Sequence, residues 1–224
     1  MASGVRLTEL LAALSFGADL GLGHPTEHVQ RQTYIALHLA ERLGLSEAER
    51  EVVYYSSMLA WLGCHVDAHE LAKWFGDDQT FKHAATYVDV SDAMSSLAFL
   101  VRHLGEGRPL GERLKTGVGF IAEGRHDLDS IYDNHTTAGA SLSADLGLPE
   151  AVRDSVRQAY ERWDGKGGPV GVKGEEVLTA ARLVHIADVT EVFHCTGGVD
   201  EAVAMARTRR GGQFDPDLVD LFCR

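Results

Sequence analysis

Apolar residues recur every three to four positions along almost the whole chain, the period of helices rather than strands. The clearest run is 26–43, where Val29, Ile35, Ala36, Leu39, Ala40 and Leu43 share a face and predict a long amphipathic helix. Pro25 suits its entry and Gly44 stops it. Ser46-Glu47-Ala48-Glu49 is a capping box opening a helix to about residue 62, which Gly63 ends. A short apolar helix is expected over 7–14, before Gly21 and Gly23 break the chain. Others are expected at 67–75, 91–104, 110–122, 128–146, 149–162, 175–193 and 200–209, and Asp215-Pro216 opens a last short one. Gly76-Asp77-Asp78 and 105–109 read as inter-helix loops. No alternating apolar–polar run demands a sheet, and no repeat or low-complexity linker divides the chain. The expected architecture is all-α, a single helical bundle over 1–224.

Composition narrows the partners. The 224 residues are enough for a sizeable core, and their net charge is −12 with no cluster of five or more Lys/Arg. Phosphate-backbone binding needs concentrated positive charge, so direct nucleic-acid binding is not expected. Cys64, Cys195 and Cys223 form no paired framework, which suits a reducing, cytoplasmic setting. No basic region followed by an apolar run marks the N-terminus, and no stretch of about 20 apolar residues predicts a membrane span.

The segment Glu161-Arg162-Trp163-Asp164-Gly165-Lys166-Gly167-Gly168-Pro169, with Gly171, Gly174, Glu175 and Glu176, resembles the signature loop of the HD-GYP family. That family comprises metal-dependent phosphodiesterases acting on cyclic di-GMP. The resemblance continues in His28 and Glu41 of the opening helix, in His135 with Gly139, and in Leu146-Gly147-Leu148-Pro149. It also takes in Ile186-Ala187-Asp188-Val189 and Gly212-Gln213-Phe214-Asp215-Pro216, spanning about 21–223. It implies an HD-domain-like bundle. Leu14-Ser15, Tyr54-Tyr55, Asp67-Ala68-His69-Glu70 and Phe75-Gly76-Asp77-Asp78 further resemble an actinobacterial form often linked to LuxR-type regulators.

What the resemblance implies for chemistry is incomplete. Multinuclear phosphodiesterase sites need several His and carboxylate ligands, with bridging carboxylates between ions. Where the family has its His-Asp pair, this chain has Ala60-Trp61. Cys64 stands for a substrate-binding Lys, Ala159-Tyr160 for two His, and Gly168 for the family's Tyr. The metal-ligand positions that persist are His28, His135 and Asp188, with His24 a fourth candidate. His24 precedes Pro25, which disfavours helix and hence a two-His grip with His28. Three donors could hold one divalent ion such as Fe, Mn or Zn, and only weakly. The competing reading makes His28 and His135 interior groups hydrogen-bonded to Asp188.

Trp61 and Tyr160 place amphipathic rings where ionic ligands would stand, a candidate ligand pocket. Glu161, Arg162, Trp163 and Asp164 are expected to fix the loop, with Trp163 buried and Arg162 paired to carboxylates, around Gly165, Gly167 and Pro169. His65, Asp67 and His69 read as a solvated loop and first turn, and Arg207, Arg209 and Arg210 as a small basic patch complementing a helix C-terminus. The expected function is a degenerate regulatory module, with cyclic di-GMP hydrolysis lost. It would bind a small-molecule or nucleotide ligand, a regulatory protein, or a second copy as a homodimer. The alternative is an active metal-dependent phosphohydrolase with a reduced site.

Overall fold

Three apolar faces meet on α2 (His28–Arg42), and the molecule is arranged around it. The computed structural model describes residues 6–89 and 91–224. On α2, Val29, Ala36, Leu39 and Ala40 are buried, while Leu43, just past the end, is exposed. The helix is started from outside. Asp19, buried in α1 (Leu7–Leu22), accepts hydrogen bonds from the amides of Glu27 at 2.6 Å and Val29 at 2.9 Å. A side chain of the preceding helix thus caps a terminus whose own N-cap residue makes no side-chain bond.

Against α2 pack α3 (Glu47–Leu59) and α10 (Thr179–Thr208). The expected Ser46 capping box is present, with Ser46 Oγ accepting from the Glu49 amide. One core joins α2 and α10 to α11 (Pro216–Phe222) through Leu39, Leu183, Ile186, Met205 and Leu218. A second joins α1, α3, α8 (Arg125–Asp145) and α9 (Glu150–Arg157) through Leu11, Leu59, Trp61, Ala140 and Val156. A smaller third core gathers Leu71, Trp74, Phe75, Phe120 and Ile131. It lies under α4 (Ala68–Phe75), α5 (Asp78–Thr86), α6 (Ala93–His103) and α7 (Leu110–Gly119). The fold is all-α: no strand occurs among the described residues, and no helix among them is long and apolar enough to cross a membrane.

Several expected boundaries move for identifiable reasons. α1 continues through Gly17 and Gly21 to Leu22, because Asp19 needs helical placement to cap α2. Gly76-Asp77-Asp78 reads as a loop and no element is expected over 79–86, yet Asp77 is the N-cap of α5 and accepts from the Gln79 amide. α7 runs through a π-helical turn, Phe120–Gly124, directly into α8. α9 stops at Arg157, because the following residues turn to build the Glu161 loop. The two helices expected over 175–193 and 200–209 join as α10, interrupted at Gly198 (φ 78, ψ −169), a conformation open to glycine alone.

Candidate functional site

Residues three or four apart share a helix face, so His28 and Arg31 of α2 look toward Asp188, Glu191 and Cys195 of α10, while Gln32 bonds Ser57 and Trp61. The His28 Nε2 lies 3.0 Å from Asp188 Oδ1, and its Nδ1 is hydrogen-bonded to Glu191 Oε2. Arg31 Nε donates to Glu191 Oε1 at 2.5 Å, and the Cys195 thiol donates to the same oxygen at 2.8 Å. Burial opposes a charge on His28, but the two carboxylates outweigh it and push its pKa up to about 9. Burial likewise opposes ionised Glu191, yet His28, Cys195 and Arg31 hold it down to about 2. His28 is therefore an imidazolium donating from both ring nitrogens. His24 meets it at a tilt with ring centroids 4.4 Å apart, and its Nδ1 lies 3.1 Å from that of His83. Burial, then the charge on His28, lowers His24 to about 4.

His135, on α8, sits in a different setting. Its Nε2 lies 3.0 Å from Asp67 Oδ2 and its Nδ1 3.2 Å from the Tyr160 hydroxyl. Asn134 donates to the other Asp67 oxygen at 2.9 Å. Asp67 is buried, and burial raises its carboxyl. Burial also raises the Tyr160 hydroxyl well above its ordinary value and the neighbouring Cys64 thiol to about 12. The approach of this helix depends on Gly63: a Cβ there would lie 2.2 Å from the His135 carbonyl oxygen.

Trp61 links the halves. Its indole donates to Gln32 Oε1 at 2.9 Å and meets Tyr160 edge-on with centroids 5.2 Å apart. Trp61 and Ala60 are both buried. The donors present do not fit a metal centre. Both nitrogens of His28 serve carboxylates, His135 pairs with Asp67 rather than Asp188, and among the described residues no three His, Cys, Asp or Glu side chains converge as a ligand shell. Of the two histidines expected to bond Asp188, His28 does so and His135 does not.

The loop is a scaffold of charge-assisted bonds. Glu161 Oε1 accepts from the amides of Val170 at 2.6 Å and Gly171 at 2.9 Å. Arg162 forks onto Asp164 through two 3.1 Å bonds and reaches Asp89 at 3.1 Å. Trp163 is half-buried rather than buried, its ring beneath the Arg182 guanidinium at 5.6 Å. Gly165 turns with φ 74, and the Gly168–Pro169 peptide is cis. Gly167 and Pro169 reach the wall of a cavity of ≈ 690 Å³ that also takes in Trp61, His135, Tyr160 and Asp188. Lys82, Arg162, Lys166 and Arg209 bring cations to that wall, and Asp188 is the one carboxylate among its described lining residues.

Other expectations change. Asp67 is an interior partner, not a solvated residue; His69 is exposed, and the side chain of His65 lies outside the described part. Arg207, Arg209 and Arg210 form no patch. Arg209 is buried, donating to the Tyr87 carbonyl at 3.0 Å and Gln213 at 2.9 Å, whereas Arg210 pairs with Asp220 on the surface. Sequence reasoning missed Arg31, Gln32 and Glu191 as site residues. The i,i+3 pairs His28/Arg31 and Asp188/Glu191 were the available signal. Lys82 carried none, since it arrives from α5 to donate to the Cys64 carbonyl at 2.6 Å.

Comparisons with known proteins bear on the fold. Residues 125–218 match a family model described as an HD domain. A 3'3'-cGAMP-specific phosphodiesterase of Vibrio cholerae is 30% identical over 96% of this chain and 47% of its own length. The cyclic di-GMP phosphodiesterase response regulator RpfG of Xanthomonas campestris is 37% identical over 98% of this chain and 48% of its own. A crystal structure of a cyclic GMP-AMP-specific phosphodiesterase from V. cholerae matches with a TM-score of 0.70 at 27% identity, covering 96% of this chain and 47% of that one. The chain spans about half the length of these relatives.

Proposed function

We infer, from an HD domain homologous to HD-GYP cyclic-dinucleotide phosphodiesterases, that this domain is a regulatory module that binds an anionic small-molecule or nucleotide ligand and does not hydrolyse it. One observation carries the reading: the buried Ala60-Trp61 pair fills the place where the resemblance expects a His-Asp pair, with the indole bonded to Gln32 and packed on Tyr160. A bridging carboxylate is thus replaced by a group that ligates nothing, and His28 is committed to two carboxylates. The cavity beside it supports binding. Lys82, Arg162, Lys166 and Arg209 line it in a chain of net charge −12, with Lys82 also paired to Asp78 and Arg162 to Asp164, and Phe81, Tyr132 and Tyr160 add aromatic side chains.

The test is calorimetry with cyclic di-GMP and 3'3'-cGAMP, paired with product analysis after incubation with Fe, Mn or Zn. Binding without turnover is the expected result. Near-stoichiometric metal in the purified protein, together with hydrolysis abolished by His135→Ala, would establish the reduced-site phosphohydrolase instead.

A further inference from the structure

The ≈ 690 Å³ cavity has two unlike ends, and α5 runs from one to the other. Near the start of α5, Phe81 stacks on Phe75 with centroids 3.7 Å apart and meets Phe99 of α6 at 5.2 Å. Leu71, Leu100 and Ile131 complete this apolar end. Beyond them Tyr132, Tyr160 and Trp61 form a chain of rings along the wall, with successive centroids 4.9 and 5.2 Å apart. At the last residue of α5 the lining changes character. The Thr86 carbonyl accepts from Arg209 at 3.4 Å, Arg209 donates to Gln213 at 2.9 Å, and Gln213 lies 2.8 Å from His185 Nε2. Phe81 and Thr86 are five residues apart, roughly 7.5 Å along a helix. One small molecule can therefore touch both ends.

The cations along the cavity are mostly committed. The Lys82 ammonium has three donors and three acceptors: Asp78 at 2.7 Å, the Cys64 carbonyl at 2.6 Å and the Gly21 carbonyl at 3.3 Å. Arg162 is held by Asp164 and Asp89, and Arg209 gives its terminal nitrogens to Gln213 and the Thr86 and Tyr87 carbonyls. Lys166 differs. It is exposed at the wall, and its side chain makes no hydrogen bond or ion pair among the described residues. One anionic group can take Lys166 without breaking a pairing. A second finds no other uncommitted cation among the described lining residues, and would have to draw Lys82 or Arg162 from a carboxylate. The apolar end, for its part, gains from any body that displaces water from its rings and aliphatic side chains. Resting on the reading of this cavity as a ligand site, we propose that its ligand is an amphiphilic monoanion: a carboxylate headed at Lys166, whose acyl or aromatic body lies among Phe81, Phe99, Leu100 and the Trp61–Tyr160 rings.

Calorimetry on the full chain tests this with octanoate, decanoate and dodecanoate, with naphthoate as the aromatic arm, decanol as the uncharged one and cyclic di-GMP as the dianion. Affinity should tighten about tenfold for each two methylenes added, until the space is filled. Decanoate should bind ~10-fold tighter than decanol and than cyclic di-GMP. Naphthoate tighter than decanoate assigns an aromatic body, and the reverse an acyl chain. Lys166→Glu should weaken decanoate ~10-fold and leave decanol unchanged, a split that general disruption does not give. Leu100→Gln should weaken both, whereas Leu114→Gln, at an exposed apolar position on α7, should weaken neither. Circular dichroism checks that each variant folds; should Leu100→Gln not fold, Lys166→Glu at its exposed position carries the test with the chain-length series. Carboxylate binding indifferent to Lys166→Glu, or equally lost in Leu114→Gln, overturns the proposal. Cyclic di-GMP bound and not hydrolysed, with neither decanoate nor naphthoate bound at about 1 mM, overturns it and leaves the regulatory reading standing. No binding of any of these anions overturns both.

Discussion

His135 reaches the Trp61–Tyr160 pair through the Tyr160 hydroxyl and His28 only through its helix neighbour Gln32, and the chain holds the two histidines by unlike means. His28 is a buried cation inside a cluster of Asp188, Glu191 and Arg31. His135 meets one buried carboxylate, raised by burial, and a phenol. The contrast shows what becomes of ligand positions once the central pair is gone. One half is satisfied by charge compensation within the α2–α10 contact, and the other by the approach of His135 on α8 to Asp67, just before α4, and to the Tyr160 hydroxyl beyond α9.

The sharpest way to break the contrast is to remove one histidine at a time. His28→Ala leaves Glu191 and Asp188 facing each other with Arg31 as the remaining counter-charge, and should cost about 3–5 kcal/mol in urea unfolding. A cost below about 1 kcal/mol would mean that the cluster contributes nothing to folding. Next in size is the pH dependence. His28 is raised from 6.5 to about 9, so its contribution is complete below 6.5 and is lost as pH rises through 9. Glu191 is lowered from 4.5 to about 2, so its contribution is complete above 4.5 and is lost as pH falls through 2. His24, lowered to about 4, works against the fold as acid charges it between 6.5 and 4. Stability should therefore peak near neutrality and fall by an order of 2–3 kcal/mol toward pH 9. His28→Gln should flatten that alkaline limb, and an unchanged limb would place the charge elsewhere.

His135→Ala should cost less, about 1–2 kcal/mol, because Asp67 keeps Asn134. Equal losses for the two alanine variants would erase the distinction. Tyr160→Phe should be smallest, within about 1 kcal/mol, since the ring contact with Trp61 survives the loss of the hydroxyl. If it instead matched His135→Ala, the phenol rather than Asp67 would be the main support of that histidine.

The helices were legible because apolar period and capping residues act locally: Ser46-Glu49 and Asp215 cap as their sequence contexts demand. α5 was harder, since none of its residues is fully buried and it presents little periodic signal. At the site, the inability of Ala60-Trp61 to act as ligands was readable from residue type alone. The replacement network was not, because Asp67, Lys82 and Glu191 acquire their roles from partners 68, 18 and 163 positions away. Such pairings are set by helix packing, which no local pattern encodes.

The interruption of α10 at Gly198 also fixes how far apart two parts of the cavity stand. Along an unbroken helix, at about 1.5 Å per residue, Asp188 and Arg209 would be roughly 30 Å apart. Both line the same ≈ 690 Å³ space. A single backbone angle thus converts distance along the chain into enclosure, folding the acidic wall and the guanidinium rim of one helix toward a common centre.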